Sequence, residues 1–250
     1  MLINRLSGKR KTNKISDHGH SAKEIAERIG SPPGRGVLRD AIYGAIDGAV
    51  TTFAIVAGVA GAGLSTIVIV ALGVANVLAD GFSMAAANYS GTKAELENMR
   101  RIRAVEERHI DVHPDGEKRE VREILFQKGL SGEVLSQATD EITQDRENWI
   151  SLMMEGEYGL GGVDPHPMKS AITTFMAFLA AGVVPLFPFL LGLEDALALS
   201  IAMTLVTFFG IGALKSHWSL NHWSWSGFET LLIGGGAASI AYLVGTLFHV

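Results

Sequence analysis

Glu106 and His109 stand three residues apart, and Glu117, Glu120 and Glu123 repeat that step a little further on. Side chains three or four apart share one face of a helix, so a pair of this kind can offer two donors to one cation. Met153, Met154 and Glu157 add two thioethers and a carboxylate at neighbouring spacing. Asp47, Asp80 and Met84 lie in stretches otherwise almost bare of charge, with Asn76, Asp80 and Met84 four apart on one stripe. The chain has no Cys, which removes disulfides, thiolate zinc sites and iron–sulfur clusters together. Any metal would therefore be held by carboxylate, imidazole and thioether, a set suited to Fe(II), Mn(II), Co(II) or Zn(II). Solvated helix faces laced by Arg/Glu pairs carry the same spacing, and Arg100, Arg101, Arg103 and Arg108 lie among these acids.

The elements that must position these residues follow from where charge is absent. Of 250 residues 48% are hydrophobic and 19% charged, with a mean hydropathy of +0.25. Of the 21 Lys and Arg, nine fall in 1–39 and eleven in 93–169. No charge occurs in 48–79, 170–193, 196–214 or 230–250, and a bilayer core needs about 20 apolar residues per helix. The pattern predicts five spanning helices, near 38–62, 66–90, 169–192, 195–215 and 226–249. The first two are separated by Gly61-Ala62-Gly63-Leu64-Ser65, with Ser65 as N-cap. The fold class is all-α, with a three-helix metal-binding insert between spans two and three. Its helices are expected near 91–112, 115–128 and 132–158, the first continuing the second span.

The units are a flexible tail at 1–36, spans one and two at 37–90, the insert at 91–168, and spans three to five at 169–250. The positive-inside rule places the tail and the insert in the cytoplasm. An apolar h-region before residue 37 is lacking, so no cleavable signal is expected. The net charge of −5 argues against nucleic acid. An acid at membrane depth costs roughly 2.5–3.5 kcal/mol, so Asp47 is expected to line a pathway. Gly44 and Gly48, four apart beside it, are expected to permit close helix approach. His217 and His222 sit among Trp218, Trp223 and Trp225 and read as an interfacial belt. His18 and His20 read as part of the solvated tail.

Four stretches together resemble the vacuolar iron transporter family of Fe(II)/proton exchangers: Arg39–Gly48, Ala79–Ala86, Met153–Leu160 and Pro185–Pro188, within about 37–250. The resemblance implies a homodimer with an ion path between the two first helices. It implies metal ligands at Asp47 and Met84, and an acid at the cytoplasmic mouth, Asp40. In the insert it implies ligands at Glu106, Glu117, Glu120, Met153, Met154 and Glu157, with His109 where the family has Glu. Asn88 also replaces a Glu common in the family.

The expected function is proton-coupled export of cytosolic Fe(II), and of Mn(II), Co(II) or Zn(II), by a secondary transporter that is not an enzyme and carries no prosthetic group. Its partners would be metal ions, protons, the bilayer and a second copy. The expected location is the bacterial cytoplasmic membrane, with a vacuolar membrane as the alternative. A membrane-anchored ferritin-like iron oxidase or store, or a metal sensor, is the rival reading. The oxidase would want a second Glu-x-x-His.

Overall fold

The computed structural model describes residues 19–30, 37–161 and 165–248. Their regular elements are all helices, with no strand among the described residues. Most of the expected tail, residues 1–18 with His18 and residues 31–36, lies outside the described residues. Within the expected tail, Ala22–Gly30 forms a helix, α1.

Among the described residues, five helices are long and apolar enough to cross a membrane. The first is α2 (Leu38–Gly61) and the second lies within α3 (Thr66–Val112). Between them, Gly63 takes a left-handed φ of 72°. Its N–H donates to the Ala60 carbonyl, and that of Leu64 to Val59, a glycine-dependent stop that satisfies the last carbonyls of α2. Ser65 sits at the N-cap of α3 in extended backbone, but its side chain makes no capping hydrogen bond.

The third span, Pro167–Leu190, is not one regular helix. α7 (Pro167–Gly182) gives way to a 3₁₀ turn at Val184–Leu186 and a short α8 (Phe187–Leu190). Pro185 and Pro188 have no N–H to continue the ladder. The Pro185 carbonyl left over accepts from Ser200 Oγ at 2.7 Å, which keeps it satisfied where water is absent. α9 (Ala196–Lys215) and α10 (Trp223–Leu247) complete the body.

α2 is the hub, packed on α7, α10, α3 and α9. Lipid is as apolar as Leu, so close packing of small residues rather than water exclusion joins helices in a membrane. A Cβ added at Gly44 would meet the Thr174 carbonyl, and one at Gly48 the Phe178 carbonyl. The predicted close approach therefore occurs within this chain, between α2 and α7. Large apolar side chains face outward, among them Ile67 at 71%, Phe82 at 69% and Val206 at 72% exposure, a surface fit for lipid and not for water.

α3 runs unbroken for 47 residues. Beyond its apolar half it meets α4 (Pro114–Gln127) and α6 (Arg146–Gly156), and α5 (Gly132–Gln144) packs on those two. The single helix expected over 132–158 is thus two. Asp145 leaves helical geometry (φ −103°, ψ 117°), and its carboxylate accepts from the Asn148 N–H at 2.8 Å, capping α6. These helices have a core of their own, with Ile102, Ile110, Val121, Leu125, Leu135, Trp149 and Ile150.

Replacing Gly44 by Val should overpack the α2–α7 contact by about 1–3 kcal/mol, lowering the thermal midpoint in detergent by roughly 2–12 °C. Gly236→Ala, at a position with nothing within 4 Å, should leave the midpoint nearly unchanged.

Candidate functional site

Two groups of the sequence-selected residues come together, at two levels along one helix. Met84 and Glu106 both belong to α3, and 22 residues are about 33 Å and six turns apart, so they fall on nearly the same side of it.

In the apolar half, Asp47 of α2 and Met84 of α3 line one recess of about 390 Å³, with Tyr43, Ile46, Val50 and Ile233. Asp80 lies within electrostatic range of Asp47. Asn76, on the same stripe of α3, donates to Thr51 Oγ1 at 3.3 Å, and Thr51 donates to the Asp47 carbonyl at 2.9 Å. The Thr51 hydroxyl is thus spent on the backbone of Asp47 and leaves the carboxylate to the recess. Asp40 lies apart from these, in a polar pocket of about 340 Å³ with Arg39, Asn88, Thr92, Glu95 and Ser170. There Asn88 Nδ2 donates to Thr174 Oγ1 at 2.7 Å and to the Ser170 carbonyl at 3.4 Å, while its Oδ1 accepts from Thr92 at 3.3 Å. At this position the amide is an uncharged staple between α3 and α7.

The second group forms where α3, α4 and the end of α6 meet. Glu106 is 1% and Glu117 5% exposed, an unusual burial for carboxylates. Glu106 Oε1 accepts from the Tyr158 hydroxyl at 2.9 Å, and Glu117 Oε1 lies 3.5 Å from His109 Nδ1. The other oxygen of each, Oε2, is buried without a hydrogen-bond partner. Glu117 is within hydrogen-bonding reach of Glu106 and feels the charges of Glu120 and Glu157. Burial, reinforced by Glu120 and Glu106, pushes the Glu117 carboxyl up to about 7. Burial also raises Glu157, against a hydrogen bond from Tyr158 that lowers it. Glu120 is at the exposed rim, and Glu123 is exposed and accepts from Gln127.

Met153 and Met154 are buried in the apolar core of the same helices. Among the described residues no three His, Asp or Glu side chains stand close enough to hold an ion as they are. Among the described residues this is an open neighbourhood rather than a closed coordination sphere.

Ion pairs fix α6 against α3. Arg146 grips Asp111 with two bonds of 2.6 and 3.0 Å and donates to the Glu107 carbonyl at 2.9 Å. Arg103 reaches Glu147 at 2.6 Å and Glu107 at 2.9 Å. Of these bonds the Arg103–Glu107 pair is the intrahelical kind expected from spacing; those to Glu147 and Asp111 tie separate helices together.

Tyr158 escaped the reading by spacing because it lies beyond the helix end. No periodicity links it to Glu106, 52 residues away.

The sequence profile of the VIT family matches residues 38–246. The chain belongs to the VIT family. It is 33% identical over 209 residues to vacuolar iron transporter 1 of Arabidopsis thaliana, covering 82% of this chain and 84% of the relative. The corresponding protein of Tulipa gesneriana is 34% identical over 210 residues, covering 82% and 85%. The vacuolar iron transporter of Toxoplasma gondii is 32% identical over 224 residues, covering 85% and 74%. With five apolar helices of spanning length, this VIT-family chain is a multi-pass membrane protein. Both residue groups fall inside the matched region.

The raised Glu117 carboxyl sets a sign for stability. The folded chain keeps a proton that the unfolded chain gives up between about 4.5 and about 7, so metal-free stability falls as pH rises through that window. The thermal midpoint should be lower at about pH 8 than at about pH 5.5, and Glu117→Gln should flatten the difference.

Proposed function

We propose that the protein is a proton-coupled exchanger that moves Fe(II), and also Mn(II), Co(II) or Zn(II), out of the cytosol. The observation that carries the reading is the recess shared by Asp47 and Met84. A carboxylate and a thioether there face one space inside a body otherwise built from apolar helices, and such acids mark ion pathways. The relatives are named vacuolar iron transporters, which supports iron as the cargo.

The recess opens at the surface of one chain, so a single copy surrounds an ion on one side only. In the proposed homodimer a second copy supplies another Asp47 and Met84 across the axis. The charge bias of the sequence puts the N-terminus and the α4–α6 helices on the cytosolic side. There Glu106, Glu117, Glu157 and His109, with Glu120 at the rim, collect metal and raise its local concentration, with Met153 and Met154 beneath. Asp40 attracts the ion at the mouth, and Asp47 with Met84 carries it through.

Coupling follows from competition. A carboxylate must lose its proton to hold a metal, and two Asp47 side chains facing each other favour keeping one proton between them when the metal leaves. The ion moves one way and the proton the other.

Inside-out vesicles carrying the protein and an imposed pH gradient should take up Fe(II) added under reducing conditions. Asp47→Ala should reduce that uptake to the level of vesicles without the protein. Uptake at the wild-type rate by Asp47→Ala contradicts the mechanism.

A further inference from the structure

The transport reading gives the hydroxyl of Tyr158 no task, yet the fold goes to some length to place it. α6 ends at Gly156, and Gly159 then takes a left-handed φ of 67°. The Gly159 N–H donates to the Glu155 carbonyl at 3.1 Å, and the Leu160 N–H reaches back to Met154 at 2.9 Å. This turn carries the Tyr158 ring across to α3, where its hydroxyl donates to Glu106 Oε1. The same hydroxyl is within hydrogen-bonding reach of Glu157. One neutral group therefore stands between two carboxylates.

The consequence lies in how Glu106 meets an ion. Its Oε1 is occupied, while Oε2 is buried and unpartnered. Held this way, the carboxylate presents one oxygen rather than two. Small divalent transition ions bind carboxylate oxygens at about 2.0–2.2 Å with few ligands, a geometry that single-oxygen donors fill. Calcium takes six to eight oxygens at about 2.3–2.6 Å and often uses both oxygens of one carboxylate. A Glu106 free to swing would serve calcium better than a Glu106 pinned at one oxygen.

We propose that Tyr158 is a positioning residue that pins Glu106 to single-oxygen presentation and so biases the cluster toward small divalent transition ions and against calcium. This rests on the reading of the cluster as a metal-collecting site. Partners that orient a metal-binding side chain are worth about 10–100-fold in affinity, and Tyr158 is 38% exposed, so Tyr158→Phe removes the hydroxyl with little disturbance of packing.

The test uses purified full-length protein with cobalt(II) alone and calcium(II) alone as probes. Tyr158→Phe should weaken cobalt(II) binding by about 10-fold or more while calcium(II) binding holds or tightens. The visible cobalt(II) absorption should shift as the coordination changes, while the metal-free thermal midpoint falls only by the few degrees expected for one lost hydrogen bond to a buried carboxylate. Equal weakening for both ions, or an unchanged cobalt(II) spectrum, overturns the inference. On wild-type protein, a tyrosinate difference band in the ultraviolet on adding cobalt(II), absent from Tyr158→Phe, would show Tyr158 itself ligating and would also overturn it. Glu117→Gln separates the two levels. If it leaves cobalt(II) binding intact, the metal reading of the cluster fails. If it weakens binding and Tyr158→Phe does not, only the role of Tyr158 fails.

Discussion

Glu106 and Glu117 are brought together out of water, and each keeps one buried oxygen with no partner. A buried polar atom left without a hydrogen bond costs roughly 1–3 kcal/mol, and more when charged. Two carboxylates side by side add repulsion. A proton shared between them relieves both costs, and so does a divalent cation. The raised Glu117 carboxyl is the proton version of that relief. The site is therefore stable when it holds a positive charge of either kind, and in the proposed exchanger the two kinds compete for the same oxygens.

The rest of the structure keeps that arrangement from relaxing. Glu106 is fixed because it sits on a helix rooted in the apolar body, and Glu157 because Arg146 and Arg103 tie α6 to the same helix. Each exposed ion pair is worth little by itself; the two-pronged geometry of Arg146 on Asp111 gives direction more than energy. In the apolar body the same job falls to close backbone contact. α2 lies against α7 at Gly44 and Gly48, and this contact holds the helix that carries Asp47. α3 joins the two stations as one rigid element about 33 Å long between Met84 and Glu106.

Much of this was legible in the sequence where a simple period or a simple absence spoke. Uncharged runs marked five long apolar helices, Gly63 marked the turn after the first, and the lack of any strong breaker after the second span let α3 run on. The i, i+3 step put Glu106 beside His109, although His109 then turned to Glu117. Local backbone chemistry was harder to read. Asp145 interrupts a polar helix because its carboxylate bonds the backbone ahead of it more favourably than the helix does. The prolines at 185 and 188 broke a run whose hydropathy alone looked continuous. The contact of Tyr158 with Glu106 was not legible from spacing because a turn, not a helix, sets its direction. Spacing also placed Met153 and Met154 among candidate donors without showing that they pack in the core.

The central claim is that the orphaned oxygens of Glu106 and Glu117 are stabilised by a bound cation, and one measurement bears on it directly. Thermal unfolding of the full-length protein, followed with and without anaerobic Fe(II), compares wild type with the double variant Glu106→Gln, Glu117→Gln. A ligand that binds only the folded state raises the midpoint, so wild type should be shifted upward by Fe(II). The double variant should start from a higher metal-free midpoint and lose most of the shift. A double variant with the same metal-free midpoint and the same Fe(II) shift as wild type would contradict the account.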